Sequence, residues 1–543
     1  MHKHVRKVTR RETLLKIGGG LSATILSPLC GTAETETTPP ATSQVTGQGR
    51  RLLIKNGIVI DGSGKPGVIA DVLIIDGLIA GIGSYAQDNA DRVLDATGQV
   101  VCPGFIDLHT HCKNGDNAAF IYQGVTTVIS GNCGFSATMK TLNADYQNAP
   151  KLTNMGNLVG HHTLGRVRAE RALSTAELAG LEQILTTEMS AGAFGFSTGL
   201  AYTPGSYATT EEVIALNKIA AKFGGIYVSH IRDEGNHVLA AVAEAIQIGE
   251  ASKTPVHISH HKVNGVENWG RSKETLALID KAHARGMRVS MDQYPYCAWN
   301  GTLRLQLPAW ALEGDEATIS KRIAEPSSRA RIKAYLVKNL AFYAQHPERM
   351  VLNICVQDPK LIGLNMSELA QHKGHKPDAD GIAESMLELL HKDPSHKGAY
   401  LRVHAMDEKD VQRIMCHPST AIASDAWSIP FNVGMPHPRH YGPFPRVLGH
   451  YSRDLKLFPL EEAVRKMTSL PADIMGLNKR GQLRQGYHAD LVVFNPHTVI
   501  DQATFEKPHQ YPLGITHVFV NGVTTLENGA LTQQAGGSLL LKS

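Results

Sequence analysis

The chain has 543 residues, of which 42% are hydrophobic and 19% charged. It can therefore bury a full core, and disorder is excluded. Lys and Arg (54) barely outnumber Asp and Glu (50), and a formal charge of +4 excludes a dedicated nucleic-acid or polyanion binder. Seven cysteines are too few for a disulfide scaffold of this size, while 26 histidines call for a chemical explanation.

In chain order, the first feature is a leader. Thr9-Arg10-Arg11-Glu12-Thr13-Leu14-Leu15-Lys16 precedes an apolar run, Ile17 to Leu29, that is too short to span a bilayer. Gly31-Thr32-Ala33 follows as a small-x-small cleavage site. Residues 1–33 thus read as a twin-arginine export signal, which predicts a periplasmic or secreted protein. A basic amphipathic helix of a cytosolic protein is the bland alternative. Lipid anchoring at Cys30 is a weaker one, since Pro28-Leu29 suit that processing poorly. Residues 34–50 are polar and rich in Pro and Thr, as in a linker.

From Arg51 the grammar is β. Leu52 to Gly57 and Ile58 to Gly62 read as two short runs split by turn residues. Asp71 to Gly77 and Leu78 to Gly83 form a hairpin about Asp-Gly. The C-terminal part repeats this in His488 to Phe494 and in Val518 to Gly522, which ends in Asn-Gly. A small β-sandwich domain built from residues 51–102 and 481–540 is expected.

Between them, short apolar runs alternate with amphipathic stretches. The runs include Phe105-Ile106, Val125 to Ile129, Leu158-Val159, Phe194 to Phe196, Ile226 to Val228, Val256 to Ile258, Val289 to Met291 and Ala421 to Ala423. Thr210 to Phe223, Val238 to Ala251 and Ser272 to Arg285 are helical in period. About eight strand–helix units predict an α/β fold, a (β/α)8 TIM barrel over residues 103–480. Residues of about 298–400 interrupt the alternation with helices and one run, Met350 to Val356, that fits no unit. They read as an inserted subdomain, of a size to act as a lid.

Barrel chemistry sits at the carboxyl ends of strands, and here those ends carry metal-ligand types. They are His109-Thr110-His111, Cys133 in Gly131-Asn132-Cys133-Gly134, His230, His260 (followed by His261 and Lys262) and Asp425. Two residues apart on a strand, His109 and His111 point to one face. Singly, each has an ordinary reading: a satisfied core histidine, a small buried cysteine, a helix-capping aspartate. Jointly, thiolate, imidazoles and a carboxylate on five strand ends make a zinc-type ligand set.

The segments CPGFIDLHTH (102–111), GVTTVISGNCG (124–134), GAFGFSTGLAYTPGSYATTEE (192–212), YVSHIRDEG (227–235), HISHHK (257–262), MDQYPY (291–296), ASD (423–425) and HPRHYGPFPRVLG (437–449) resemble the N-acyl-D-amino-acid deacylase (D-aminoacylase) branch of the amidohydrolase superfamily. The resemblance runs from about residue 51 to 540. It implies a zinc-dependent hydrolase of linear amides that removes the acyl group from N-acyl-D-amino acids. It implies a tight Zn2+ on Cys133, His230 and His260, and a weaker second metal position at His109 and His111, with Cys133 bridging and Asp425 alongside. Asp425 matches the catalytic base. Lys262, Arg439, Tyr202 and Tyr294 match residues that hold the substrate carboxylate. The partner expected is a small-molecule N-acyl-D-amino acid, with no nucleic acid and no membrane span, in a monomer or small homo-oligomer. A cyclic-amide hydrolase or an isoaspartyl-type dipeptidase on the same barrel is the alternative, and a non-catalytic binding protein a further one.

The chain departs from the pattern near the pocket. Ala426-Trp427 follows Asp425 where glycine is usual. The stretch from Asp425 to Arg439 is slightly long. Trp299-Asn300 stands where a Gly-Ser pair, whose serine helps hold the carboxylate, is usual. No lysine matches the one that many amidohydrolases carboxylate to bridge two metals.

Overall fold

The computed structural model describes residues 50–86, 90–167, 169–393, 395 and 398–542. The expected leader and nearly all of the linker lie outside them. Among the described residues no helix is long and apolar enough to cross a membrane.

Eight short strands follow one another through the middle of the chain: Phe105–Asp107, Val125–Ser130, Asn154–Asn157, Gly195–Gly199, Ile226–His230, Val256–Ile258, Val289–Gln293 and Thr420–Ile422. Neighbours pair in parallel. The third strand breaks at Leu158. Its first part pairs with the second strand, and Val159–Gly160 continues it against the fourth. The ring closes through a parallel bridge between Thr110 and Ala426. Here Asp425 N–H donates to His109 O and His111 N–H to Ala426 O, each at 2.8 Å. The barrel seam is thus sewn by the His-x-His segment and the segment carrying Asp425. The expected barrel is present, and the strand interiors are fully buried as parallel strands require.

The helices fall where the period placed them, at Thr210–Lys222, Val238–Ser252 and Ser272–Ala284. The first begins because the Thr209 side chain accepts from Glu212 N–H, with Glu211 and Glu212 in its first turn. Val213, Leu216 and Ala220 form its buried stripe.

Both ends of the chain share one nine-stranded sheet. Val100–Pro103 pairs parallel to Arg51–Val59 on one side and antiparallel to Leu491–Phe494 on the other. Eight strands follow one path, the ninth, Arg92–Asp95, branches off it to pair parallel with Arg51–Val59, and Leu52, Ile54, Val72, Leu491, Val493 and Phe519 pack into the core. The two runs expected at its start are one strand. Asn56 takes φ 58°, which absorbs the turn-like Asn56-Gly57 as a bulge instead of ending the strand. Asp76-Gly77 and Asn521-Gly522 do turn, with φ positive at both residues of each pair, as tight hairpins demand.

The inserted stretch builds a sheet of its own. Ala298–Thr302, Ala399–His404 and Met350–Cys355 form an antiparallel sheet with Ala399–His404 central. Helices Glu316–Ala324, Pro326–Gln345, Met366–His372 and Ala379–Lys392 accompany it. Met350 to Val356, which fitted no barrel unit, supplies an outer strand of this sheet. Trp299 and Asn300 lie in the other outer strand, opposite Val403 and Arg402.

Candidate metal centre

The five strand ends meet. Cys133 Sγ lies 3.4 Å from His109 Nε2, 3.4 Å from His260 Nε2 and 3.8 Å from His230 Nδ1. Two trios of donor atoms share the thiol, one with His230 and His260 and one with His109 and His111. A third trio joins His109, His260 and Asp425, and within each trio the atoms lie within 4.8 Å of one another. His111 Nε2 is 3.0 Å from Asp425 Oδ1. All the metal-ligating residues expected from the sequence, and Asp425, are therefore in one cluster.

The backbone goes to unusual lengths to aim these side chains. Cys133, His260 and Asp425 have φ of 53°, 34° and 53°. Non-glycine residues pay a steric penalty there, and such strain gathers at functional sites. The glycines beside them make the bends feasible. A Cβ on Gly131 would run into the Leu158 carbonyl, and one on Gly199 into the Cys133 carbonyl. The GNCG and STG signatures are thus two backbones in contact beneath the thiol.

The donor chemistry fits a zinc-type ion. His230 Nδ1 and His260 Nε2 face each other at 2.7 Å beside the thiol. Burial lowers the His230 pKa and keeps its ring neutral, with a lone pair to give. Burial works against ionising Cys133, but the His109 and His260 charges outweigh it and hold its pKa well below the ordinary thiol range. Burial also opposes charge on Asp425. Arg439, whose Nη1 donates to Oδ2 at 2.7 Å, and then His109 overcome it and hold the pKa well below the usual carboxylate value.

Two carboxylates behind the rings escaped the sequence reading. Glu234 Oε1 sits 3.0 Å from His260 Nδ1 and 2.6 Å from Lys262 Nζ, and Oε2 is 3.8 Å from His230 Nε2. Asp292 Oδ2 sits 3.2 Å from His109 Nδ1 and 2.8 Å from His257 Nε2, and its Oδ1 accepts from His260 N–H at 2.8 Å. A carboxylate on the far nitrogen fixes the tautomer so that the near nitrogen can ligate. Both residues stand in quoted segments, RDEG and MDQYPY, but nothing local shows that they face imidazoles. Burial raises Asp107, which accepts from His109 N–H and Ser424 N–H, to about 7.

A cavity of about 410 Å³ opens onto this cluster. His111, Cys133, His260, Asp425 and Arg439 form its floor, and Lys113, Phe135, Tyr202, Thr203, Asn300, Gly301, Thr302, Arg304, Leu305, Leu312, Tyr400 and Trp427 line the rest. Of the four residues expected to hold a carboxylate, Tyr202 and Arg439 line this cavity. Lys262 and Tyr294 line a small adjoining one behind His260. The Arg439 guanidinium lies 4.8 Å from the Tyr294 ring centroid, and the Lys262 ammonium 5.6 Å from it, so the three adjoin. Tyr294 Oη and Arg439 Nε are buried without a hydrogen-bond partner.

The amidohydrolase family model matches residues 92–526, most of the chain. The chain belongs to the amidohydrolase family. It is 39% identical to a D-aminoacylase of Alcaligenes xylosoxydans xylosoxydans, over 92% of this chain and 99% of that one. It superposes with TM-score 0.78 on an N-acyl-D-glutamate deacylase of Bordetella bronchiseptica, at 32% identity over 91% of this chain and 100% of that one. That structure holds zinc and a phosphonate inhibitor, a mimic of the tetrahedral intermediate. A D-aminoacylase studied for one-metal activation and second-metal attenuation of its binuclear centre matches with TM-score 0.75 at 36% identity, over 91% and 99% of the two chains. The deacylase branch inferred from the segments is therefore the one to which this amidohydrolase is similar along nearly its whole length.

Proposed function

We propose that this amidohydrolase is a zinc-dependent deacylase that cleaves N-acyl-D-amino acids to a carboxylate and a D-amino acid. The observation that carries the reading is one thiol, Cys133, shared by two imidazole pairs on the floor of a cavity that also presents Asp425 and Arg439. Cys133, His230 and His260 would hold the tight zinc, and His109 and His111 the weaker metal. Zinc supplies the polarisation that an amide carbonyl and an attacking water both lack.

The chain's own groups do the rest. Asp425 Oδ1 faces His109 and His111 at 3.5 and 3.0 Å, while Arg439 holds Oδ2. Oδ1 is thus presented among the proposed metal-ligating histidines as a base. It takes the proton of the attacking water and returns it to the leaving nitrogen, which cannot depart as an anion. Arg439 is the nearest cation to that reaction, and with Lys262 and Tyr294 it forms the receiving group for the α-carboxylate. Carboxylate and acyl carbonyl are then both fixed, so the α-substituent has one direction open to it, and one enantiomer fits. We further propose export by the twin-arginine route, to the periplasm or beyond it as a secreted protein, and a monomer or small homo-oligomer.

The test is hydrolysis of paired N-acetyl-D- and N-acetyl-L-amino acids, with a hydantoin alongside, by enzyme of measured zinc content. Turnover of the D series by zinc-loaded enzyme is expected. Turnover of the L series or of the hydantoin alone would overturn the reading.

A further inference from the structure

The cavity holds one amide at the place where a serine that helps hold the carboxylate is usual, and an amide, unlike that hydroxyl, presents its donor and its acceptor on separate atoms. Asn300 lines it, and both ends of the Asn300 amide, Nδ2 and Oδ1, are buried with no hydrogen-bond partner. A buried amide left unmet at both ends is uncommon and costly. Its neighbours do not meet it. Arg402, directly opposite on the central strand of the inserted sheet, is turned away: its Nη1 donates to Phe505 O at 2.8 Å, and its guanidinium lies 4.9 Å from that ring's centroid. Arg304, also in the cavity wall, is held by Glu316 at 3.1 and 3.2 Å. Lys113, Thr203 and Thr302 also line the cavity, beside Leu305, Leu312, Tyr400 and Trp427, and none of them is hydrogen-bonded to the Asn300 amide.

An unmet donor and an unmet acceptor on one planar group are complementary to one chemistry above others, another amide. A carboxylate would satisfy Nδ2 and set its charge against Oδ1. A methyl-ended chain would satisfy neither. We propose that Asn300 is a specificity-determining residue that pairs with a second amide of the substrate, besides the scissile one. That amide has two sources: the side-chain carboxamide of a D-glutamine or D-asparagine residue, or an amide within the acyl group, as in an N-acylaminoacyl substrate. The inference rests on the deacylase reading above and adds a substrate class to it.

The experiment compares kcat/KM of the zinc-loaded enzyme in two arms. One arm sets N-acetyl-D-glutamine against N-acetyl-D-methionine and N-acetyl-D-glutamate. The other sets N-(N-acetylglycyl)-D-methionine against N-hexanoyl-D-methionine. In at least one arm the amide-bearing substrate is expected to lead by about tenfold or more, the scale on which a site built for hydrogen bonding discriminates. In Asn300→Leu, with zinc content confirmed, that ratio is expected to collapse by about tenfold. The arm that responds identifies the source. No amide preference in either arm, or a preference that survives Asn300→Leu, overturns the inference while hydrolysis of N-acetyl-D-methionine leaves the deacylase reading standing. Absence of hydrolysis of every substrate would instead overturn that reading.

Discussion

Replacing Glu234 by glutamine tests whether the metal centre depends on its supports. Glu234 Oε1 meets His260 Nδ1 at 3.0 Å and Lys262 Nζ at 2.6 Å, and Oε2 faces the far nitrogen of His230. One carboxylate therefore stands behind both histidines of the proposed tight site. The amide keeps the size and removes the charge that orients the rings. Loss of such a support typically weakens metal binding by about 10- to 100-fold, or about 1.4 to 2.8 kcal/mol. Lys262, 6% exposed at its side chain, also loses its counter-charge. Breaking a buried pair from one side costs about 3 kcal/mol. The two effects separate when urea unfolding is measured on chelator-stripped protein and zinc affinity by competition with a chromophoric chelator. If folded Glu234→Gln binds zinc as tightly as the parent, Glu234 does not orient His260 and the two-layer account of the centre is wrong.

Further outcomes follow from the same geometry. Asp425→Ala is expected to keep zinc and lose turnover by about 100- to 10,000-fold; near-parental hydrolysis would remove Asp425 as the base. Cys133→Ala is expected to lose most bound zinc in metal analysis, and full occupancy would count against the shared thiol. Stability should fall on mild acidification. Burial pushes His261 down to about 4 and His440 to about 3, so the folded state keeps both neutral. The unfolded chain protonates them near pH 6.5. As pH drops below that value toward 4, unfolding is favoured by up to roughly 2.7 kcal/mol per pH unit for the two together. Urea midpoints at pH 7.0 and 5.5 read this, and His440→Asn should show a shallower dependence. An unchanged slope would place the acid sensitivity elsewhere.

What the sequence disclosed and what it hid divide along a physical line. Strand ends were legible because parallel strands buried on both faces are short apolar runs, and ligand types directly after such runs stand out. Hence His109, His111, Cys133, His230, His260 and Asp425 could be gathered from positions more than 300 residues apart. The supports were not legible, because Glu234 and Asp292 look like any loop or strand acid until the fold turns an imidazole toward them. The run Met350 to Val356 was visible, but its place in a sheet was hidden for a related reason. Its partner, Ala399–His404, lies across two intervening helices, and no local period records such a pairing. The bulge at Asn56 shows the opposite error, a strong turn signal overruled by the strands on either side.

The placement of Val100–Pro103 has a consequence for biosynthesis. This strand is flanked on one side by a segment made before it and on the other by Leu491–Phe494, made almost 400 residues later. Until the ribosome has delivered the later partner, its hydrogen-bonding edge is open, and open edges recruit other chains. A nascent or prematurely terminated polypeptide therefore exposes an adhesive rim that the finished one conceals, which makes late truncation a hazard to solubility before it is a loss of catalysis.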